Sequence, residues 1–242
     1  MTEGSMASSY ELITLRDPLC RTSEAYRILR SNLLLENKVK PIRTLLVTSA
    51  GHEDSGGNLH HLSGEILEHI NSIVVANVAV VLAQSFRKTL IVDSDLRTPW
   101  QHEIWKQPNE PGLMNMMASR GHISLCKPEV DNLWLLPSGV PPSDPQIIFD
   151  SPRIGEVIGK LKDQADIIVF DSAPVTTTIE PLLLASMVDA VLLVVNASTS
   201  RTESVREAKK LLVHQNARLL GAVLANASEN RETATYSHKW EV

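Results

Sequence analysis

Six short runs of β-branched and aliphatic residues recur along this 242-residue chain and constrain its fold more than any other feature. Most of these runs are apolar throughout instead of alternating with polar residues, which is typical of strands covered on both faces. Helical segments separate them, so we predict a doubly wound α/β fold: a mostly parallel sheet with helices on both faces. The predicted strands are Thr44–Ser49, Thr89–Asp93, Leu133–Leu136, Ile167–Asp171, Val191–Val195 and Gly221–Asn226.

Four longer segments between these runs are predicted to be helices. Ser23 is predicted to cap the first of them and Ser151 the third, with Pro152 at the first helical position of the third. The predicted helices are Ser23–Glu36, Ser72–Gln84, Ser151–Gln164 and Thr202–Gln215.

Composition narrows the class of protein. The net charge of −5 argues against nucleic acid as a partner, because binding along phosphates needs a basic surface. Cys20 and Cys126 are the two cysteines, which implies no disulfide framework and favours a reducing cytosol. No apolar run approaches the roughly 18–20 residues of a membrane span. We expect a cytoplasmic protein, which leaves room for a partner at the inner face of the membrane.

A glycine-rich segment follows the first predicted strand. Gly51 and Gly56 have the G-x-x-x-x-G spacing of a phosphate-binding loop, in which backbone N–H groups and a helix N-terminus hold the anion. In such loops Lys and Ser or Thr come next, whereas here Gly57 and Asn58 occupy those positions. This first register therefore supplies neither the cation nor the hydroxyl.

A second register is also open. Asn71-Ser72-Ile73 can occupy the Lys-Ser-Thr positions, with Ser55–Ile70 inserted inside the loop. This register recovers a hydroxyl at Ser72 but still contains no lysine. The sequence does not choose between the two.

Carboxylates end two other predicted strands. Asp93 and Asp95 are spaced two apart after one strand, and Asp171 ends another. Ligands of such sheets bind beyond the carboxyl ends of the strands, where these side chains would reach Mg²⁺. The alternative is that strand-end Asp residues cap turns and neighbouring helices. For the three together we favour a Mg²⁺-nucleotide site.

These segments resemble a known family. Thr89–Pro99, which reads T-L-I-V-D-S-D-L-R-T-P, is similar to the second Walker motif of the bacterial tyrosine kinases of capsule and exopolysaccharide synthesis. Asp166–Pro174 resembles the Walker B segment of that family, and Glu24–Arg30 resembles its E-x-x-R-x-x-R motif. Leu135–Pro142 and Gly221–Asn226 also have counterparts there.

The resemblance implies a P-loop NTPase-like domain over residues 23–226. An N-terminal extension of residues 1–22 precedes it, a polar tail of residues 227–242 follows it, and residues 55–72 form an atypical insertion at the phosphate loop. Asp93, Asp95 and Asp171 would be the catalytic and Mg²⁺-binding residues. The candidate ATP-binding residues are Gly51, Gly56, Gly57, Ser72, Arg97 and Asn226, and the resemblance places the last near the base.

The same resemblance implies autophosphorylation on tyrosine, steered by a membrane polysaccharide co-polymerase. Tyr236 is the tyrosine that the tail offers as a phosphoacceptor. Glu24, Arg27 and Arg30 would mediate assembly into ring-like oligomers with other copies or with a homologous kinase. Judged by spacing alone, these three could equally form ion pairs within one helix.

The absent lysine leaves two main functions open. One is a kinase-like protein that uses ATP to regulate polysaccharide synthesis or export. The other is a non-catalytic subunit that binds the co-polymerase or a homologous kinase. A partition-type ATPase is less favoured, because those proteins also need loop lysines and lack the E-x-x-R-x-x-R motif. His61, Glu65 and His69 have the spacing of a metal-binding helix face, but we favour a polar surface segment there.

Overall fold

The structure is a computed structural model that describes residues 12–51, 68–85, 87–118, 123–141, 148–149 and 151–227. Within these ranges helices and strands alternate along the chain. The helices are α1 (Ile13–Arg16), α2 (Arg21–Val39), α3 (Ile70–Ala83), α4 (Gln101–Trp105), α5 (Leu113–Ala118), α6 (Arg153–Lys162), α7 (Glu180–Ala185) and α8 (Thr202–His214). The strands are β1 (Thr44–Ser49), β2 (Thr89–Asp93), β3 (Leu133–Leu136), β4 (Ile167–Asp171), β5 (Ala190–Asn196) and β6 (Leu219–Ala225).

The six strands form one sheet in the order β3-β2-β4-β1-β5-β6, and all neighbouring strands are parallel. The order places β1, which precedes the glycine-rich segment, between β4 and β5. Asp93 and Asp171 stand side by side at the ends of β2 and β4. The predicted fold class is confirmed.

Each face of the sheet carries its own apolar core. Leu46, Leu90 and Phe170 point to the face that α6 and α8 cover. Their immediate neighbours Leu45 and Ile91 point to the opposite face, where α2 and α3 pack. Because successive strand residues face opposite sides, a strand covered on both faces must be apolar throughout, as the sequence indicated.

Helix α3 is the most deeply buried helix of the described residues. All of its residues except Ile70 and Ile73 are buried. A helix that is apolar all round needs cover on every side, and α3 lies between the sheet and helices α1 and α2. Asn77 is a polar exception in this helix: its Oδ1 accepts hydrogen bonds from the backbone N–H (3.1 Å) and hydroxyl (2.7 Å) of Thr14 in α1.

Two predicted helix caps were wrong. Helix α2 begins before Ser23, at Arg21, and Cys20 caps it by accepting the Ser23 N–H on its Sγ. The Ser23 hydroxyl instead donates to the carbonyls of Ile13 and Asp17, which the preceding helix brings within reach.

Helix α6 begins one residue later than predicted, so Pro152 is its N-cap residue. The Ser151 hydroxyl still accepts the N–H of Arg153, at 3.3 Å.

Residues 12–16 belong to the proposed N-terminal extension, yet Leu12 is buried and Thr14 is hydrogen-bonded to α3. The domain boundaries remain predictions. None of the described helices is both long and apolar enough to span a membrane.

Candidate functional site

The carboxyl ends of β1, β2 and β4 meet at one edge of the sheet and bring the predicted site residues together. Gly51 follows β1 with a φ of +75°, a backbone conformation that favours glycine. A Cβ atom at this position would lie 2.8 Å from the Oγ1 of Thr176, which itself donates to the carbonyl of Ala50. The chain therefore needs glycine where it leaves β1.

Asp171 is the centre of the site and is 1% exposed. Its Oδ1 accepts the side-chain amide of Asn71 at 2.7 Å, and its Oδ2 accepts the side-chain amide of Gln101 at 2.8 Å. The Ser72 side chain adds a third hydrogen bond. Burial raises the pKa of Asp171 to about 6, although these three donors act in the opposite direction.

Asp93 is fully buried beside Asp171. Its Oδ2 accepts the backbone N–H groups of Trp100 and Gln101, both at 3.0 Å, at the start of α4. Burial, followed by the neighbouring charge of Asp171, raises the pKa of Asp93 well above its ordinary value. Burial and the neighbouring negative charge favour the protonated form of these carboxyl groups, and no side-chain cation pairs with either among the described residues.

Asp95 orders the turn between β2 and α4. Its Oδ1 accepts the N–H groups of Arg97 (3.1 Å) and Thr98 (3.0 Å), and its Oδ2 accepts the Thr98 hydroxyl at 3.0 Å. This is the turn-capping role that the sequence left as the alternative. Arg97 points away from that carboxylate and forms a 2.7 Å ion pair with Glu180, a buried residue of α7.

Ser72 lies within hydrogen-bonding reach of the strand-end Asp171, the arrangement that the second register predicts for the phosphate-loop hydroxyl. Asn71 immediately precedes it, where the loop lysine belongs. The Asn71 amide nitrogen lies near three acceptors: Asp171 Oδ1 and the carbonyls of Val47 (3.2 Å) and Ser172 (3.1 Å). These contacts fix the orientation of the amide, and they leave Asn71 Oδ1 buried without a partner.

The first register lies largely beyond the part of the chain that is described, because Gly56 and Gly57 fall between residues 51 and 68. Even if the first register is correct, it does not supply the missing cation. The sequence contains no Lys or Arg between Arg43 and Arg87. Neither register therefore supplies a lysine to the loop.

Other predicted residues lie at the same edge or on neighbouring surfaces. Asn226 follows β6, and its side-chain amide donates to Asn196 Oδ1 at 3.3 Å at the end of β5. Asn196 Nδ2 is itself buried without a partner. His69 stacks on the Trp100 ring, with centroids 4.0 Å apart. Its proposed companions in a metal-binding face, His61 and Glu65, and the phosphoacceptor Tyr236 fall outside the described residues.

The three residues of the predicted oligomer interface make contacts within their own chain. Glu24 and Arg27 form an ion pair of 2.6 Å on α2, and Arg27 also donates to the carbonyl of Pro18. Arg30 donates to the carbonyl of Val81 in α3, at 3.2 Å. The intrahelical pair that spacing allowed is present, and the role in assembly remains a prediction.

Sequence reasoning missed Gln101 and Glu180. Gln101 touches both buried carboxylates, Asp93 through its backbone N–H and Asp171 through its side chain. Both residues begin short helices, whose positions no periodic pattern reveals. Proline gave a signal for both: Pro99 shortly precedes Gln101, and Pro181 lies in the first turn of the helix that Glu180 begins.

The protein CapB of Staphylococcus aureus, whose name describes it as a tyrosine-protein kinase, is 33% identical to this chain over 226 residues. The match covers 93% of this chain and 92% of CapB. The chain belongs to the family of bacterial tyrosine-protein kinases. No general family model matches it.

A further relative and two solved structures are similar to this chain to different extents. YwqD of Bacillus subtilis is 25% identical, with 94% of this chain and 92% of YwqD covered. The crystal structure of the chimerical protein CapA2B2 superposes with a TM-score of 0.77 at 29% identity, covering 88% of each chain. MinD of Pyrococcus horikoshii, solved with Mg-ADP, has a TM-score of 0.56 at 20% identity over 77% of this chain and 72% of MinD, which shows the shared fold alone.

In its described residues this member of the tyrosine-kinase family does not fit a Mg²⁺-nucleotide well. In the second register a neutral amide, that of Asn71, stands where the loop lysine would reach the β and γ phosphates. Both oxygens of Asp171 already accept hydrogen bonds, and Arg97 is neutralised by Glu180. Among these residues no three His, Cys, Asp or Glu side chains are grouped to hold a metal. Assignment of Mg²⁺ to Asp93, Asp95 and Asp171 remains a prediction.

Proposed function

We propose that this chain is a non-catalytic member of the tyrosine-kinase family that regulates polysaccharide synthesis or export through protein contacts. The observation that carries the proposal is Asn71, which stands in the lysine position and donates its amide to Asp171. A cation preorganised at the transferring phosphate is among the largest catalytic contributions, and removing such a group costs about two orders of magnitude or more in rate.

The charge of the loop supports the same proposal. Four acidic residues and no Lys or Arg lie between Gly51 and Ser72. Asp171 and Asp93 add two buried carboxyl groups at the ends of β4 and β2. An ATP phosphate chain entering this edge would meet negative charge, where a working loop offers a lysine and a helix N-terminus. The acidic residues are Glu53, Asp54, Glu65 and Glu68.

The proposed partners follow from the family. A subunit without phosphoryl transfer acts by binding, and the partners we propose are a membrane polysaccharide co-polymerase and a homologous, active kinase. The α2 surface of Glu24, Arg27 and Arg30 is the proposed contact, and it would hold the chain at the inner face of the membrane. Self-association through the same surface is part of the proposal.

A second candidate is an active tyrosine autokinase, and one observation favours it. Ser72 keeps its hydrogen bond to Asp171, the arrangement in which a phosphate-loop hydroxyl and a strand-end aspartate share Mg²⁺. An active enzyme would need its cation from elsewhere, such as a neighbouring copy in an oligomer. It would phosphorylate Tyr236.

Titration of the purified full chain with Mg-ATP by calorimetry, followed by a phosphotyrosine blot, separates the two. We expect no binding at millimolar ATP and no phosphotyrosine. Micromolar binding with phosphorylation of Tyr236 would refute the non-catalytic proposal.

The lysine can also be put back. Asn71→Lys should confer Mg-ATP binding, because it returns a cation beside Ser72 in the second register. Gly57→Lys is the matched control, since it adds the same charge to the same loop in the first register. Binding conferred by Gly57→Lys and not by Asn71→Lys would show that the first register is correct.

A further inference from the structure

We propose that Asn71 and Gln101 take over the structural role of a bound cation at this site, so that the chain holds its nucleotide-site shape without a ligand. We call Asn71, Gln101 and Asp171 the amide clamp. The inference rests on the proposed non-catalytic function and names the residues that make it workable. The two side-chain amides donate to separate oxygens of the buried Asp171 carboxylate, Asn71 at 2.7 Å and Gln101 at 2.8 Å.

The clamp meets an electrostatic requirement. A buried carboxylate is costly unless it is paired with a cation or fully hydrogen-bonded. Arg97, which follows β2 at this edge of the sheet, is paired with Glu180 instead. The partial positive charges of two amides and the Ser72 hydroxyl are therefore the compensation that Asp171 receives.

The clamp also joins the elements that form the site. Asn71 lies in the first turn of α3 and reaches the carbonyl of Val47 in β1 as well as Asp171 in β4. Gln101 begins α4 and uses one amide nitrogen to bridge Asp171 and the carbonyl of Ser72, at 2.9 Å.

Gln101 is itself held in place. Its Oε1 accepts the indole N–H of Trp105 at 3.0 Å, and its backbone N–H donates to Asp93. The side chain is fully buried. The amide is therefore oriented before any ligand arrives, with its nitrogen toward Asp171 and its oxygen toward Trp105.

In active phosphate-loop proteins the nucleotide and its metal ion bridge the same set of elements. When the nucleotide and metal leave, those elements shift their positions. In this chain the bridge is covalently part of the protein. The surface around α3 and α4 should then keep one shape at every nucleotide concentration, as a constitutive binding subunit requires.

Thermal unfolding of the full chain with and without millimolar MnCl2 tests the clamp. Gln101→Met keeps the length of the side chain but leaves Asp171 Oδ2 unpaired, so the Tm should fall by about 5 °C in both conditions. Gln101→Glu places a second carboxylate against Asp171, so its Tm should be low without Mn²⁺ and rise when Mn²⁺ is added. The unmodified chain should show no Mn²⁺-dependent shift.

Gln107 offers matched controls. Its amide donates to the carbonyl of Trp105 and touches no carboxylate. Gln107→Met and Gln107→Glu should therefore leave the Mn²⁺ response unchanged. If Gln101→Met does not fold, Asn71→Asp should show the same new dependence on Mn²⁺ as Gln101→Glu.

Two results would overturn the clamp. One is a Gln101→Met variant with the Tm of the unmodified chain. The other is an unmodified chain that Mn²⁺ stabilises as strongly as it stabilises Gln101→Glu. Binding of Mg-ATP by the unmodified chain contradicts the proposed function, whereas an unchanged Tm in Gln101→Met contradicts the clamp alone.

Discussion

At the scale of single residues, Asn71 bears on what the edge of the sheet can bind, because the second register assigns it to the position of the loop lysine. Lysine would carry a full charge on a long flexible stem, whereas asparagine is short and donates from an amide whose position three acceptors fix. The strand-end carboxylates are then left without a cation and depend on hydrogen bonds. Their presence alone does not demonstrate a working phosphoryl-transfer site.

Gly51 gives a residue-scale prediction. Gly51→Ala should lower the free energy of unfolding by about 1–3 kcal/mol, because alanine is strained at a φ of +75° and its Cβ would displace Thr176. Urea denaturation measures the loss.

Gly159 supplies the control for this prediction. It lies in α6, and a Cβ there would meet nothing within 4 Å. Gly159→Ala should raise the free energy of unfolding by about 0.5–1 kcal/mol, since alanine is the better helix former. Equal effects of the two substitutions would contradict the assigned backbone conformation of Gly51.

At the scale of elements, the long regular segments could be predicted from the sequence and the short ones could not. Strands β1 to β4 have the predicted bounds, because continuous apolar runs of four to six residues leave little choice once both faces are covered. Helices α1, α4, α5 and α7 have four to six residues each and are too short to show a helical period.

Some residues of the candidate site could likewise be predicted from the sequence, and others could not. Asp93 and Asp171 were placed together correctly, since carboxyl ends of parallel strands share one edge of the sheet. Gln101 and Glu180 were missed because tertiary packing positions the short helices that carry them. Ser23 was assigned to the wrong role because the carbonyls it binds come from α1, which was not predicted.

The contact between α1 and α3 gives a prediction at this scale. Asn77→Ala removes the acceptor of both Thr14 hydrogen bonds, so the free energy of unfolding should fall by about 2–3 kcal/mol. Amide hydrogen exchange should accelerate most in α1, which has few other buried residues.

Thr14→Val tests the same contact from the other side. It removes one of the two hydrogen bonds and retains the shape of the side chain, so its effect should be smaller than that of Asn77→Ala. The two substitutions should also be non-additive in the double variant. If the effects of the two substitutions on the free energy of unfolding were fully additive, Thr14 and Asn77 would not stabilise the protein through their mutual contact.

At the scale of the whole molecule, the buried carboxyl groups set how stability depends on pH. The pKa of Asp171 in the folded protein is about 6, above its ordinary value of 3.8, and that of Asp93 is also raised, in both cases chiefly by burial. Between the unfolded and folded pKa values of these groups, the folded state therefore binds protons more readily than the unfolded state. Stability should increase as pH falls from 8 towards 5.

Asp189 acts in the opposite direction at lower pH. Burial raises its pKa, but hydrogen bonds from Arg43 and Thr44 and the charge of Lys162 outweigh burial and hold it below the ordinary value. Its stabilising contribution is complete above that value and is lost as pH falls further. The two effects together predict a stability maximum at about pH 4, close to the ordinary Asp value, which urea unfolding between about pH 8 and 3 would measure.

Two variants can show which carboxyl group causes each side of the profile of stability against pH. Asp171→Asn should flatten the slope between pH 8 and 5, and Asp189→Asn should flatten the acid side. A profile that declines steadily from pH 8 to 5 would contradict the raised pKa values of the buried carboxyl groups.

The burial of α3 has a consequence for how this kind of chain can diverge. Gly51 is held by the sheet, and α3, which starts at Ile70, is fixed between the sheet and α2, so the ends of the intervening segment are anchored independently of its length. Closing a longer loop between fixed ends costs only about 0.6 kcal/mol for each doubling of its length. A change in the number of residues between these two anchors should therefore cost the fold little.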